Sequence, residues 1–242
     1  MIDITTLASG SKGNCYYITD GSTPLLLECG ISIKEIRKGT EFRLGEVEGC
    51  LITHEHGDHI KAAVDVARAG IDCYMSKGTF DSYGFGSHRF NIVELQHVSG
   101  KQKIYKPFKI KTWTVKPFEA QHDALQPLGY LLVNQAGDKL LFATDTYYLK
   151  YKFQGLTHIM IECNYSLDIL NENIRSGRVP AVQKKRLLKS HFSLENVKEF
   201  LKANDLSRVK EIHLLHLSDR NSDEERFKRE IQELTGKIVY IA

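Results

Sequence analysis

Apolar and polar positions alternate with a period of two through much of the first half of the chain. Ile2-Asp3-Ile4-Thr5-Thr6-Leu7 reads as a strand, followed by the loop Ser9-Gly10-Ser11-Lys12-Gly13-Asn14. Cys15–Ile18 and Pro24–Cys29 form a hairpin-like pair around Asp20-Gly21, and a short helix is predicted over 32–38. Gly49 to Thr53 is a buried-type strand. Ile60 to Ala69 carries an apolar stripe (Ile60, Val64, Ala67), predicting a helix that stops at Gly70, and Ile71 to Met75 returns as a strand. Residues 76–91 are turn-rich, hold Phe80, Tyr83, Phe85 and Phe90, and read as an inserted loop, a lid or a subunit contact. Strand patterning resumes at 103–118, 127–134, 139–143 and 158–162.

The last third is more helical. Ser193 opens a helix over 194–203 with Leu194, Val197, Phe200 and Leu201 on one face, and strand 211–215 follows. Ser222 with Glu225 has the spacing of a capping box for a helix to about Leu234, and 237–241 closes as a strand. No repeat or linker interrupts the pattern, so residues 1–242 read as one domain. Strands followed by helices in both halves predict an α/β sandwich, two sheets covered by helices.

Composition adds little to this. The 242 residues are 42% hydrophobic and 26% charged with a net charge of +3, which suits a globular protein and an anionic substrate without identifying a nucleic-acid binder. The five cysteines are isolated and form no C-x-x-C pair, fitting structural burial in a reducing compartment. The chain shows no charged-then-apolar leader and no apolar run near membrane-spanning length, so the expectation is a cytoplasmic protein with no membrane partner.

The chemistry is concentrated elsewhere. Thr53-His54-Glu55-His56-Gly57-Asp58-His59 places four metal-capable side chains in six residues, directly after an apolar strand. Imidazole with carboxylate suits borderline divalent ions. Further candidates end predicted strands: His122, Asp145 and His216. His191, just before a predicted helix, competes with His216 for a ligand role or serves as a proton donor.

The ordered set His54, His56, Asp58, His59, His122, Asp145 and His216 resembles the metallo-β-lactamase superfamily over nearly the whole chain. That resemblance implies an αββα sandwich of two mixed β-sheets flanked by helices and a binuclear centre. His54, His56 and His122 would hold one metal, Asp58, His59 and His216 the other, and Asp145 would bridge. Leu7-Ala8-Ser9-Gly10-Ser11-Lys12-Gly13-Asn14-Cys15, His122-Asp123, Pro127-Leu128-Gly129-Tyr130, Thr144-Asp145-Thr146 and His216-Leu217-Ser218 with Asn221 resemble the YycJ/WalJ-like branch, which is associated with DNA exonuclease activity. One position departs: Glu28 stands where the superfamily places Asp to support the metal-binding loop, which predicts the same role with shifted geometry.

Hydrolysis of a phosphodiester is therefore the expected activity, with Asp58 orienting the attacking water and His191 as leaving-group donor. Two divalent ions are expected, zinc first and manganese as competitor because carboxylates share the ligation. The leading substrate is DNA or RNA; the alternative is a cyclic nucleotide, favoured by the absence of an added nucleic-acid domain. A non-catalytic metal-binding protein is the third reading, opposed by seven candidate ligands where a structural zinc takes four. Ser9, Ser11 and Asn14 could cradle an anion through the Gly-rich loop. Arg178 and Lys184, within a basic run that includes Lys185, Arg186 and Lys189, are candidate phosphate contacts, and Lys101, Lys103, Lys106, Lys109, Lys111 and Lys116 form a second basic group. A homodimer through 76–91 completes the expectations.

Overall fold

The structure is a computed structural model describing residues 2–84, 86, 88–99 and 102–242. Phe85 and Lys101 lie outside the described residues, as do the side chains of His97 and Lys103. The chain separates into two compact units, one of residues 1–119 with 124–138 and one of residues 120–123 with 139–242.

In the first unit, β1 (Asp3–Ala8), β2 (Cys15–Thr19) and β3 (Pro24–Leu27) form an antiparallel meander, with Thr5 opposite Tyr17 and Tyr17 opposite Leu26. Asp20 closes the β2–β3 turn by accepting from the amides of Ser22 and Thr23. After α1 (Ile33–Gly39), whose Ser32 and Glu35 form a capping box, β4 (Cys50–Leu51) pairs parallel with β3. The chain continues through α2 (Gly57–Ile60), α3 (Ala63–Arg68), β5 (Cys73–Met75), α4 (Lys77–Tyr83) and β6 (Phe90–Ile92), the last two strands extending the parallel part of the sheet. Leu26, Cys50, Ile52, Ile60, Val66 and Met75 share one apolar core here. A two-stranded ribbon, β7 (Leu95–Ser99) and β8 (Gln102–Tyr105), precedes the antiparallel run β9 (Phe108–Ile110), β10 (Trp113–Glu119) and β11 (Leu128–Val133).

The second unit is built on four parallel strands, β12 (Lys139–Ala143), β13 (His158–Glu162), β14 (Glu211–Leu215) and β15 (Ile238–Ile241). Parallel neighbours need crossovers, supplied by α5 (Leu167–Arg175), α6 (Ala181–Ser190) and α7 (Leu194–Lys202) before β14, and by α8 (Glu224–Thr235) after it. Every residue of β13 is buried, as a central parallel strand requires.

Several expectations change. The helix expected over 60–69 is two helices, because backbone groups at the break bond across the chain instead of along it. Asp58 O accepts from Asn14 N at 2.7 Å, His59 O from Cys29 N at 2.9 Å, and Ala62 N donates to Cys29 O at 2.9 Å. The 103–118 strand is three, interrupted at Pro107, which has no N–H, and at Lys111, whose φ is 50°. Segment 76–91 contains helix α4, capped by Ser76 accepting from Thr79 N, where a loop was expected. Asp223 caps α8 by accepting from Arg226 N, while Ser222 Oγ donates to Ser218 O, so the capping box is not formed. Helices α5 and α6 escape the pattern reading. In α6 the apolar stripe is weak: Val182 is 80% exposed, and Ser190 is the buried residue.

Candidate metal centre

In the first unit the motif loop begins where β4 ends. Ile52 N still donates to Tyr74 O at 2.9 Å, and the following amide, Thr53 N, faces the Glu28 carboxylate instead, 3.3 Å from both oxygens. His54 is anchored at Nδ1 by Thr53 Oγ1 at 2.9 Å, and its Nε2 lies 3.1 Å from His56 Nδ1. The His59 ring is tilted against that of His54 at 4.1 Å between centroids. Its Nδ1 is 3.5 Å from Glu28 Oε1 and its Nε2 is 3.5 Å from Asp58 Oδ2.

Glu28 is completely buried behind this loop, and desolvation pushes its carboxyl up against the pull of His59 and the Thr53 amide. Its backbone is left-handed, with φ 64°, and its carboxylate faces both Thr53 N and the His59 ring. Asn14 holds the loop from the other side: Nδ2 donates to Asp58 O at 3.3 Å and lies 3.1 Å from His59 Nε2, while Oδ1 accepts from Gly10 N at 2.9 Å. Gly30 is required where the strands meet the motif, because a Cβ there would lie 1.7 Å from Asp58 O.

In the second unit the candidates sit at the C-terminal ends of three adjacent parallel strands, the usual position of sites in such sheets. Asp145 follows β12, Glu162 ends β13 and His216 follows β14. His191 joins them from the end of α6. Asp145, Glu162, His191 and His216 each offer a ligand atom, all within 4.8 Å of one another. Asp145 Oδ2 is 3.5 Å from His122 Nε2 and Oδ1 is 3.6 Å from His216 Nδ1, so the carboxylate stands between the two imidazoles. The sequence reading set His191 and His216 as competitors; the fold brings both rings together, stacked at 5.4 Å.

Glu162 is the residue that reading missed. It is fully buried, accepts from Thr146 N at 2.9 Å and Phe192 N at 3.1 Å, and faces Nδ1 of His191 at 2.6 Å and of His216 at 3.3 Å. It thereby clamps the residues after Asp145 and after His191 as well as two rings. Burial opposes its charge, but His191 and these hydrogen bonds hold it below the usual carboxylate range. For His191 burial disfavours the cation, and Glu162 more than compensates, so its basicity is raised. His122 goes the other way: burial lowers it despite Asp145 and the Ser190 carbonyl. Glu162 meets the same criterion that selected Asp145 and His216, a polar residue ending an apolar strand.

Asp145 and His216 adopt left-handed backbone, φ 45° and 52°, like Glu28. Such conformations cost on the order of 1–3 kcal/mol in non-glycine residues and concentrate at functional sites.

The donor chemistry fits divalent ions. His122 Nδ1–H donates to Ser190 O at 2.7 Å, leaving Nε2 as the lone-pair nitrogen, the arrangement that second partners impose on metal-ligating histidines. Nitrogen and carboxylate donors together suit zinc or manganese.

The candidate substrate contacts lie in different settings. Asn14 is buried and engaged with the motif loop, Ser9 Oγ is 2.8 Å from Tyr16 OH, and Ser11 is exposed. Lys184 Nζ donates to Asn171 of α5 and Arg178 Nε donates to Ser176, and neither is among the residues lining the cleft beside α6. The basic residues that do are Lys185, Arg186 and Lys189, which with Val182 recur at helical spacing along a cleft of about 540 Å³ that reaches His122. Among the described residues the five cysteines are buried and free, and no helix is long and apolar enough to cross a membrane.

These arrangements belong to a metallo-hydrolase fold, and comparison agrees. The family model described as "Beta-lactamase superfamily domain" matches residues 23–214, and the chain belongs to that superfamily. It is similar to the exodeoxyribonuclease WalJ of Streptococcus pneumoniae (serotype 2, strain D39), 32% identical over 233 residues covering 90% of this chain and 82% of the relative. It is also similar to the exodeoxyribonuclease YycJ of Bacillus anthracis, 29% identical over 251 residues covering 96% and 89%. Among solved structures, the metallo-β-lactamase fold protein YhfI of Bacillus subtilis matches with a TM-score of 0.74 at 13% identity, covering 100% of this chain and 95% of that one. The short form of human tRNase Z matches at 0.65 and 15% identity, covering 100% and 96%. These two establish the αββα fold class.

Proposed function

We propose that this protein is a metal-dependent nuclease that hydrolyses phosphodiester bonds in DNA, acting as an exonuclease. The observation that carries the reading is the four-residue cluster Asp145, Glu162, His191 and His216 at three parallel strand ends. The names of the relatives point the same way. Residues 1–242 are taken as one domain, since the matched family model runs through both compact units.

The proposed ligand set is His54, His56, Asp58, His59, His122, Asp145 and His216. These residues would hold two divalent ions, zinc first and manganese as the competitor, which would supply Lewis-acid activation of water and charge neutralisation at phosphorus. Asp58 orients the attacking water. His191 gives the leaving oxygen its proton from Nε2, because its Nδ1 is engaged by Glu162 at 2.6 Å. Glu28 and Glu162 hold the rings in place, and Ser11, exposed in the Gly-rich loop, keeps a proposed role in anion contact.

A cytoplasmic location is proposed, supported by the five free, buried cysteines, which suit a reducing compartment. A homodimer through 76–91 is supported by Tyr83, 47% exposed at the end of α4, and light scattering of the purified protein tests it.

The function is tested with purified protein loaded with zinc or manganese and offered single-stranded DNA, RNA and cyclic mononucleotides. Stepwise shortening of DNA that is lost in His56→Ala and Asp145→Ala is expected. Turnover of cyclic nucleotides alone transfers the reading to a small-molecule phosphodiesterase. Cleavage that survives both substitutions removes the metal assignment.

A further inference from the structure

The segment Tyr147-Tyr148-Leu149-Lys150-Tyr151-Lys152, which runs irregularly out of the Asp145 turn, is absorbed by none of the roles above. It interleaves aromatic and basic residues, and in the second unit it borders two different cavities.

The first is the cleft of about 540 Å³ that extends from His122 along the Lys185, Arg186 and Lys189 face of α6, with Tyr147 on its wall. The second, of about 320 Å³, lies under Tyr148, Lys150 and Lys152, with Phe192 and Phe200 contributing apolar surface and Glu199 one acid. Its size is at the lower end for small-molecule sites. Tyr147 and Tyr148 are consecutive, and each borders a different cavity. The segment is pinned: Tyr147 N donates to Gln121 O at 3.0 Å, Asn196 Nδ2 donates to Tyr147 O at 3.3 Å, and Thr146 Oγ1 donates to Tyr148 O at 3.0 Å. Asn196 also lines the second cavity. Tyr148 nonetheless leaves 56% of its surface exposed, although a tyrosine ring is mostly apolar and the fold could have buried it.

We propose that this segment is a binding platform for single-stranded DNA. The strand's phosphates run along the Lys185–Arg186–Lys189 face, and one unpaired base enters the second cavity to stack on Tyr148. A basic groove beside aromatic rings is the arrangement by which single strands are held without sequence preference. A paired base is already stacked and cannot enter, so the platform selects single strands or unpaired ends. The inference rests on the nuclease reading and names the form of substrate that reading leaves open.

The test measures equilibrium binding of the full-length, metal-loaded protein to a fluorescent phosphorothioate oligothymidylate that resists cleavage, and to a fully paired duplex whose ends are closed by non-nucleotide linkers. Tyr148→Ala is expected to weaken single-strand binding by roughly tenfold, Tyr148→Phe to restore it, and duplex binding to be the same in all three. The triple variant Lys185→Ala/Arg186→Ala/Lys189→Ala is expected to reduce the slope of log affinity against log salt by about 2. Circular dichroism confirms that each variant is folded. If wild-type protein cleaves DNA while Tyr148→Ala binds single strands as tightly as wild type, or loses duplex binding equally, the platform is overturned and the nuclease reading stands. An unchanged salt slope in the triple variant overturns the phosphate path. If wild-type protein neither binds nor cleaves DNA, the nuclease reading fails and this inference with it.

Discussion

Nδ1 of His191 lies 2.6 Å from Oε1 of Glu162, a carboxylate with no exposed surface. The same carboxylate faces His216 Nδ1 at 3.3 Å and takes peptide N–H groups from Thr146 and Phe192. One buried charge therefore sets the positions of residues on three loops.

Glu162→Gln retains the shape but supplies an amide N–H where a carboxylate oxygen accepts. Partners behind metal ligands are commonly worth 10–100-fold in metal affinity or activity. Isothermal titration with zinc and manganese is expected to show weakening in that range, with the fold preserved by circular dichroism. Wild-type affinity in the variant would show that Glu162 acts on the fold alone.

Gly30→Ala puts a methyl group into Asp58 O and forces the motif loop to move. Overpacking of this kind costs about 1–3 kcal/mol. Urea unfolding is expected to show a lower midpoint, and metal titration a weaker site; a variant as stable as wild type would mean the loop yields freely.

Glu28→Asp shortens the side chain by one methylene on a backbone with φ 64°. The carboxylate can then no longer hold Thr53 N and His59 together, although the superfamily residue has been restored. Metal affinity is expected to fall about tenfold. Unchanged affinity would show that the neighbouring strand closes the gap.

His213 provides a pH signature away from the proposed ligands. It is buried, stacked on Tyr240 at 4.9 Å between centroids, and desolvation lowers its pKa despite Glu211. The unfolded chain binds this proton more readily, so the contribution to stability is complete above the ordinary histidine value of 6.5 and is lost as pH falls below it toward the depressed folded value. Thermal melts from pH 8 to pH 5 are expected to show a shallower decline in His213→Phe than in wild type. Parallel declines would assign the acid sensitivity to other groups.

Removing divalent ions with a chelator is expected to lower the melting temperature. At about a hundredfold excess over Kd, bound metal contributes about 2.7 kcal/mol, roughly 5–10 °C for a chain of this size. Restoring zinc or manganese should reverse the shift, and the ion giving the larger recovery identifies the tighter ligand. No shift with either would speak against the centre.

How much of this was readable beforehand follows from the range of the interactions. His54, His56, Asp58 and His59 are close in sequence, and the strands carrying Asp145 and His216 announce themselves by apolar runs. The candidate ligands, their order and the α/β class were therefore determined by the sequence, because local spacing and periodicity carry them. Glu162 had the same strand-end signature, but its importance lies in bonds to residues 29 and 54 positions away. Asn14 reads in the sequence as part of an anion cradle; that its amide also meets Asp58 and His59 is visible only in the fold. The basic run at 178–189 could not be resolved into partners until helix α6 turned Lys185, Arg186 and Lys189 toward the cleft and left Lys184 on Asn171. Only the tertiary structure decided these, because burial and hydrogen bonding between distant segments override what each segment shows alone.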